Sequence, residues 1–236
     1  MDNETIERAK KVAAELAVIE NVRKDMILGI GSGSTIIHAV KKIGEMDTKI
    51  KSSLVCIPTS YQSKQLIIEH GLKVGSLDQY SEIDVVIDGA DEIDDNLNLI
   101  KGGGGCLVQE KIVASSSRRF VVIADWRKKS SLLGEKWRKG IPIEIIPEAN
   151  LLLIKKLKAL GGKPTLRLAK AKMGPLVTDN GNFIIDVDFG KITNPNELQY
   201  QLKSLTGVVD SGLFVKMTTK AYIGLSDGKV QTLITP

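Results

Sequence analysis

Two short segments near the middle of the chain combine residue types that handle protons and anions. Asp88–Glu92 reads DGADE and sets two aspartates three residues apart, whereas Lys101–Gly105 reads KGGGG and sets a lysine before four glycines. Paired carboxylates can divide acid and base roles because each one shifts the pKa of the other. A glycine run can aim several backbone N–H groups at one oxyanion. Together these segments predict a site for proton transfer next to developing negative charge.

A third candidate is a glycine- and serine-rich segment earlier in the chain. Gly29–Thr35 reads GIGSGST and follows a short apolar run. It is not a dinucleotide fingerprint, because Ser34 stands where the third glycine would be, and it lacks the Gly-Lys-Ser/Thr ending of a phosphate-binding Walker loop. Backbone amides, hydroxyls and a helix N-terminus favour a phosphate cradle. A tight strand-to-helix turn capped by serine is the alternative.

The remaining candidates carry weaker signals. Glu110 lies about a turn and a half into the helix that follows the glycines, and Lys128 could bind an anionic substrate end or belong to an exposed basic turn. The acidic loop Asp88–Asp95 has a divalent metal site as a competing interpretation, with hard oxygen ligands because no histidine is nearby. A transition-metal site is not expected, since the only histidines are His38 and His70.

Alternating strands and helices must position these residues. Apolar runs such as Ile83–Asp88 and Phe120–Ala124 predict strands that are buried on both faces, as in a parallel sheet covered by helices on each side. Polar segments follow three of the predicted strands, and the ligand crevice of an open α/β sheet lies outside the carboxyl ends of its strands. We therefore expect segments distant in sequence to converge at that edge.

The pattern changes after about Ser131. Predicted elements then run in the order β-α-β-β-α-β, which is typical of a small ferredoxin-like, split βαβ unit. We predict an α/β chain with a Rossmann-like, doubly wound, mostly parallel sheet and a smaller α+β domain. The predicted boundaries are residues 1–131 plus 207–236 for the first domain and 132–206 for the second.

Composition excludes several classes of protein. The 236 residues carry a net charge of +5, but only 4% are aromatic, which disfavours binding of single-stranded nucleic acid by base stacking. The two cysteines, Cys56 and Cys106, form no paired motif, so no disulfide framework is indicated. Neither a signal peptide nor a membrane span is evident in the sequence. We expect a cytoplasmic protein that binds no membrane and no nucleic acid.

Several segments, taken together and in this order, resemble the ribose-5-phosphate isomerase A family. They are spread over most of the chain: Gly31–Thr35, Asp88–Glu92, Lys101–Gly104, Glu110–Ile112, Ala124–Asp125 with Lys128, Ile145–Pro147 and Val177–Asn182. The resemblance implies metal-free and cofactor-free interconversion of D-ribose 5-phosphate and D-ribulose 5-phosphate through an enediolate. Two alternatives stay open, namely a related sugar-phosphate isomerase or deaminase and a non-enzymatic sugar-phosphate-sensing domain.

The resemblance also implies roles for individual residues. Glu110 would be the base that moves the proton between C2 and C1, Asp88 and Asp91 would serve ring opening and the hydroxyl protons, and Lys101 would stabilise negative charge. The residues expected to contact substrate are Ser32, Gly33, Ser34, Thr35, Asp88, Gly89, Ala90, Asp91, Lys101, Gly102, Gly103, Gly104 and Lys128. Family precedent suggests a homodimer or homotetramer.

Two departures from the family pattern stand out. Ser32 replaces the threonine found in many members but keeps a hydroxyl group, so phosphate binding is expected to persist. The usual Asp-x-Ser-Lys element reads Asp125-Trp126-Arg127-Lys128, which puts an arginine where serine is usual, next to Lys128.

Overall fold

The computed structural model describes residues 2–235, and the helices and strands below are those of that range. The helices are α1 (Asn3–Asn21), α2 (Ser34–Gly44), α3 (Thr48–Lys51), α4 (Tyr61–Glu69), α5 (Leu107–Ser115), α6 (Asn150–Ala159) and α7 (Pro195–Lys203). The strands are β1 (Ile27–Ile30), β2 (Val55–Pro58), β3 (Lys73–Val74), β4 (Val85–Gly89), β5 (Glu92–Ile93), β6 (Leu99–Ile100), β7 (Phe120–Asp125), β8 (Ile141–Ile145), β9 (Lys163–Leu166), β10 (Phe183–Asp188), β11 (Val208–Ser211), β12 (Leu213–Phe214), β13 (Lys220–Gly224) and β14 (Val230–Ile234).

Contacts divide the chain into two compact units. One consists of Met1–Ala90, Gln109–Lys129 and Met217–Pro236, and the other of Asp91–Val108 and Ser130–Lys216. The domain boundaries given by the sequence analysis stay a prediction. None of the helices within residues 2–235 is both long and apolar enough to cross a bilayer.

The first unit is built on a seven-stranded sheet in the order β14-β13-β7-β4-β1-β2-β3. All neighbours pair in parallel except β13 and β14, which are antiparallel. This confirms the prediction of a mostly parallel sheet. The chain leaves β1 toward β2 and β3 and then returns to β4 on the other side of β1, so the winding reverses between β1 and β4.

An aliphatic core holds this unit together. Helix α1 buries a stripe of small side chains, Ala9, Ala13 and Ala17, and small residues let a helix lie close to the sheet. The central strands are apolar on both faces, as expected for a parallel sheet that helices cover on each side. The site residues at the strand ends are therefore positioned by strands whose side chains are buried in this core.

The second unit contains a four-stranded antiparallel sheet in the order β11-β8-β10-β9. With α6 after β8 and α7 after β10, its elements follow the β-α-β-β-α-β order that the sequence predicted. A second sheet of three short strands, β12-β6-β5, was not predicted, because two-residue strands carry no periodicity. The expectation that Asp88–Asp95 forms one acidic loop is wrong, since Glu92–Ile93 is a buried strand.

Candidate active site

In the first unit, the loop after β1 and the end of β4 are joined through one buried carboxylate. The Gly31 amide donates to the Ile87 carbonyl at 2.9 Å, and the Ser32 amide donates to Asp88 Oδ1 at 3.0 Å. A Cβ atom at position 31 would overlap the Asp88 carboxylate, so only glycine allows this approach. The structure thus brings Ser32 and Asp88 together where the winding of the sheet reverses, the usual place for a ligand.

Hydroxyl groups cluster around Ser32. Its Oγ atom donates to Ser60 Oγ at 2.7 Å and lies 2.9 Å from Thr59 Oγ1, while the Gly33 amide donates to Gln62 Oε1 at 2.8 Å. Thr59 and Ser60 were not predicted from the sequence, although they directly follow β2 at the same sheet edge. The rule that pointed to the ends of β1 and β4 would have found them.

A lysine from the first helix reaches the same loop. Lys10 Nζ donates to Ser34 Oγ at 3.1 Å and to Glu7 Oε1 at 2.7 Å, and its side chain is only 12% exposed. Glu7 Oε2 lies 3.2 Å from His38 Nε2. The hydrogen bond from Lys10 lowers the pKa of Glu7. Lys10 was missed because the sequence gives no reason to pair α1 with the segment 24 residues later.

The N-terminus of α2 and the Lys10 ammonium group place positive charge at the same loop. Ser34 and Thr35 are the first two residues of α2, and the N-terminus of this 11-residue helix carries a partial positive charge. Ser34 is exposed, Thr35 is half-buried and Gly33 has a φ of 97°, which glycine adopts without strain. Hydroxyls, amides and the Lys10 ammonium group together form a surface suited to a phosphate group.

Asp88 and a second predicted carboxylate of this unit, Glu110, are both buried. Asp88 Oδ1 also accepts the Gly89 amide at 2.7 Å, so two backbone amides hold this side chain at the end of β4, next to the half-buried Ala90. Glu110 lies in the first turn of α5 and is 5% exposed. Helical glutamates are mostly solvated, so a buried one is a candidate for chemistry rather than for solubility.

The departure at Arg127 has a structural explanation. Arg127 Nε donates to Asp125 Oδ1 at 2.6 Å and Nη2 donates to Oδ2 at 3.0 Å, so the guanidinium group forks around the carboxylate. Burial raises the pKa of Asp125, but the hydrogen bonds and charge of Arg127 outweigh it and leave that pKa lowered. Lys128 follows in a single helical turn at the end of β7 and is half-buried.

The second unit holds the glycine run. The Gly103 amide donates to Asp91 Oδ2 at 2.6 Å, and the Asp91 amide donates to the Ile100 carbonyl at 2.9 Å. Gly102 is buried, Gly103 is half-buried and Gly104 is exposed. One of the amides that the sequence analysis assigned to oxyanion binding therefore already has a carboxylate acceptor, and this bond ties the glycine run to the acidic segment.

Lys101 is buried at the start of this run and is 2% exposed. Its amide donates to the Gly212 carbonyl at 2.8 Å, and its Nζ atom lies 5.6 Å from the centre of the Phe214 ring. That distance is within the range of a cation–π interaction. The aromatic ring belongs to β12, so the short three-stranded sheet fixes the lysine that precedes the glycines.

The other acidic residues of this region serve the structure. Glu92 is fully buried and accepts the amides of Gly134 and Lys136, both at 2.7 Å. Asp94 accepts the Asn98 amide at 2.8 Å, and burial raises its pKa. Among residues 2–235, no group of three or more His, Cys, Asp or Glu side chains is placed to hold a metal ion.

Comparison with known proteins decides the family. The family model described as ribose 5-phosphate isomerase A (phosphoriboisomerase A) matches residues 55–228, which is well over half of the chain. The chain belongs to the ribose 5-phosphate isomerase A family. The resemblance noted in the sequence is thereby confirmed.

Individual relatives agree with this assignment. The chain is 55% identical to the ribose-5-phosphate isomerase of Candida albicans over 231 residues, which cover 95% of each protein. It is 53% identical to that of Homo sapiens over 225 residues, or 95% of this chain and 72% of the human protein. A solved structure of D-ribose-5-phosphate isomerase in complex with phospho-erythronic acid is 41% identical, with a TM-score of 0.92 over 99% of this chain and 100% of the other.

One motif of the ribose 5-phosphate isomerase A resemblance has a packing role in this chain. In the segment Val177–Asn182, Thr178 Oγ1, Asn180 Nδ2 and Asn182 Nδ2 all donate to Glu144 Oε1, at 3.0, 2.8 and 2.9 Å. Glu144 is fully buried in β8. Three donors offset the cost of burying that carboxylate, so the motif serves the fold of the second unit rather than the reaction.

Proposed function

We infer that this chain interconverts D-ribose 5-phosphate and D-ribulose 5-phosphate, a reaction of the non-oxidative branch of the pentose phosphate pathway. The observation that carries this inference is the 55% identity to a ribose-5-phosphate isomerase over 95% of both proteins. A related sugar-phosphate isomerase or deaminase is not favoured, and neither is a sensing domain without activity.

The proton transfer is assigned to Glu110. Aldose–ketose isomerisation removes the C2 proton of the open-chain sugar and returns a proton to C1, with an enediolate between the two steps. A positioned carboxylate can do both, and such a base typically contributes about 10²–10⁴-fold in rate. The burial of Glu110 supports this role, because charged side chains are seldom buried without a structural or functional reason.

Three other polar side chains complete the proposed chemistry. Asp88 and Asp91 open the sugar ring and carry protons between the O1 and O2 hydroxyls, and Lys101 stabilises negative charge on those oxygens. The Gly102 and Gly104 amides are further donors, whereas the Gly103 amide acts through its bond to Asp91. Removing one oxyanion donor of this kind costs on the order of 10²–10³-fold in kcat.

The phosphate end is assigned to the loop after β1. Ser32, Gly33, Ser34 and Thr35 provide hydroxyls and amides at the start of α2, and Lys10 adds a charge through its contact with Ser34. Lys128, which follows β7, is proposed as a second cation that binds the substrate. Gly89 and Ala90, at the carboxyl end of β4, are proposed to line the substrate site. Fixed positive groups near a helix N-terminus are the usual binding arrangement for phosphate.

Assembly and location are proposed from the exposed side chains and the cysteines. We propose a homodimer or homotetramer because large apolar side chains are exposed on the second unit, among them Leu151 at 72%, Leu168 at 65% and Met173 at 93%. Light scattering after size-exclusion chromatography would measure the mass. Within residues 2–235, neither Cys56 nor Cys106 forms a disulfide, which agrees with the reducing cytoplasm.

The function is tested by following ribose 5-phosphate conversion with the purified chain, with and without EDTA. We expect turnover to ribulose 5-phosphate that EDTA leaves unchanged. Turnover that EDTA abolishes would contradict metal-free chemistry and revive the metal interpretation of Asp88–Asp95. An absence of turnover in both conditions would contradict the function itself.

A further inference from the structure

The glycine run has no side chains that could hold its backbone in place. Four consecutive glycines carry no side chains to pack, and Gly102 and Gly105 adopt φ angles of 95° and 88°. Glycine loses more conformational freedom on ordering than any other residue. A turn inside the run restrains it in part, since the Gly105 amide donates to the Gly102 carbonyl at 3.0 Å. The direction of the Gly103 and Gly104 amides within that turn depends on further contacts from outside the run.

An arginine distant in sequence supplies such a restraint. Arg167 Nη1 donates to the Gly102 carbonyl at 2.9 Å and to the Gly103 carbonyl at 3.3 Å. The same guanidinium group forks around Asp186, with Nε 2.8 Å from Oδ2 and Nη2 bonded to Oδ1. Arg167 is 15% and Asp186 17% exposed, so water competes weakly for these bonds.

The β-sheet of the second unit fixes where this arginine points. Arg167 directly follows β9, and its amide donates to the Ile184 carbonyl at 2.8 Å while its carbonyl accepts the Leu176 amide at 2.9 Å. Residues that face each other across an antiparallel pair share one face of the sheet. On that face, Ile184 packs against Leu107 and Val108, which begin α5 just after the glycines.

Arg167 and Asp91 hold opposite ends of one peptide group. A trans peptide is planar, and its C=O and N–H bonds point in opposite directions. Arg167 bonds the Gly102 carbonyl oxygen, and Asp91 accepts the N–H group of Gly103, which belongs to the same peptide. The weaker bond to the Gly103 carbonyl turns the Gly104 N–H group away from Arg167 in the same manner.

We propose that Arg167, braced by Asp186, is a positioning residue that fixes the direction of the Gly103 and Gly104 amides for the isomerase reaction. The proposal rests on the proposed function. Arg167 acts through the glycine run and through Asp91, and it does not touch the sugar. Its loss lowers kcat, because the donors and the Asp91 carboxylate lose their alignment. It leaves KM nearly unchanged, because phosphate binding is assigned to other residues.

A different effect on activity is expected if Arg167 and Asp186 form only a cross-strand ion pair. In that case Arg167 and Asp186 would only stabilise β9 against β10, and activity would follow the fraction of folded protein. The pair Lys191–Glu135, with a distance of 2.9 Å, provides a matched control, because it also joins two segments of the second unit but does not touch the glycines.

The test compares kcat, KM and thermal unfolding of wild type, Arg167→Met, the double variant Arg167→Met/Asp186→Asn, and Lys191→Met. We expect kcat to fall about 10²-fold in both Arg167 variants, with KM within about threefold. The double variant leaves no unpaired charge, so it should regain thermal stability without regaining kcat. Lys191→Met should keep the wild-type kcat.

A rescue experiment separates the guanidinium group from the fold. Added guanidinium at millimolar concentration should restore part of the kcat of Arg167→Ala but leave Lys191→Met unaffected. Two results would overturn the proposal: a folded Arg167 variant with kcat within about threefold of wild type, or a double variant whose kcat returns along with its stability. A wild-type chain without turnover would overturn the proposed function as well, which distinguishes the two failures.

Discussion

The loop after β1 and the glycine run after Lys101 both present backbone amides, but they are held in different ways. In the first, neighbouring strand ends provide the partners, since Ser32 is held by Asp88 from β4 and by Ser60 after β2. In the second, Asp91 and Arg167 belong to separate segments, and both form hydrogen bonds with the peptide group between Gly102 and Gly103. The partners of the first loop lie at adjacent strand ends of one sheet, whereas those of the second come from segments outside the glycine run.

This difference bears on function. A loop fixed by the sheet is suited to hold a phosphate, which needs the same donors before and after reaction. A glycine run held by a few side-chain hydrogen bonds can be tuned by single residues, which suits groups that stabilise charge only in the transition state. We therefore expect changes in the first loop to alter binding and changes around the second to alter turnover.

Among the variants that test this comparison, the largest effect is expected from Gly31→Ala, which tests whether neighbouring strand ends fix the first loop. The added methyl group would overlap the Asp88 carboxylate and backbone, so either the loop or β4 must move. We expect kcat/KM to fall by about 10²-fold or more, because a shift of about 1 Å in a reacting group has that effect. Steady-state kinetics on the folded fraction would measure it.

Gly75→Ala is the matched control for that variant. Its methyl group would press on the Val55 side chain in the same unit, away from the proposed site. Both variants should lose stability by about 1–3 kcal/mol through overpacking, but Gly75→Ala should keep the kcat/KM of wild type per folded molecule. Equal losses of activity in both would show that Gly31 matters only for packing.

Lys10→Met should have an intermediate effect and sharpens the assignment of the first loop to binding. The change removes the charge next to Ser34 and keeps a side chain of similar length. We expect KM to rise about 10-fold with kcat nearly unchanged, because a charged hydrogen bond is worth roughly 1.5–3 kcal/mol. Inhibition by inorganic phosphate should weaken in parallel.

The neighbouring Lys11→Met serves as its control. Lys11 is 58% exposed and lies 3.9 Å from Glu15, so its loss removes a charge from the same helix without touching the loop. Its KM should stay at the wild-type value. A decrease in kcat at constant KM in Lys10→Met would contradict the assignment of the loop after β1 to substrate binding.

The smallest effect is expected from Arg127→Met, in the turn that directly follows β7. Arg127 holds the pKa of Asp125 below its usual value. A lowered folded-state pKa stabilises the fold above the unfolded-state pKa of about 3.9, and this contribution disappears as pH falls through the folded-state pKa. The variant should therefore lose about 1 kcal/mol near neutral pH, allowing for the partial exposure of Arg127.

Urea unfolding at several pH values would check this sign. The difference between wild type and Arg127→Met should be constant near neutral pH and should shrink as the solution is acidified. A difference that grows on acidification would contradict the assigned direction of the pKa shift. Activity at neutral pH should change little, because Arg127 is not assigned a role in the reaction.

The first unit could be predicted well from the sequence, because its signals are local. Continuous apolar strands, glycine-rich turns and helical periodicity each lie within a few residues of one another, and the sheet-edge rule placed Ser32 and Asp88 together. The β-α-β-β-α-β order of the second unit was readable for the same reason. The two-residue strands β5, β6 and β12 were not, because they form only by pairing with one another.

Contacts between distant segments could not be predicted. Lys10 pairs with Ser34 because α1 packs beside α2, and Arg167 reaches Gly102 because β9 pairs with β10 under the start of α5. No local pattern encodes these distances. The burial of Glu110 could not be predicted either, because the apolar residues of its short helix show little periodicity and do not indicate which face is buried.

The most direct test of the account is the steady-state rate of ribose 5-phosphate isomerisation by Glu110→Gln beside wild type. The substitution keeps the size of the side chain and removes its ability to take the C2 proton. We expect kcat to fall by about 10²–10⁴-fold while KM stays within about threefold of wild type. A folded Glu110→Gln variant with near wild-type kcat would contradict the assignment of Glu110 as the base.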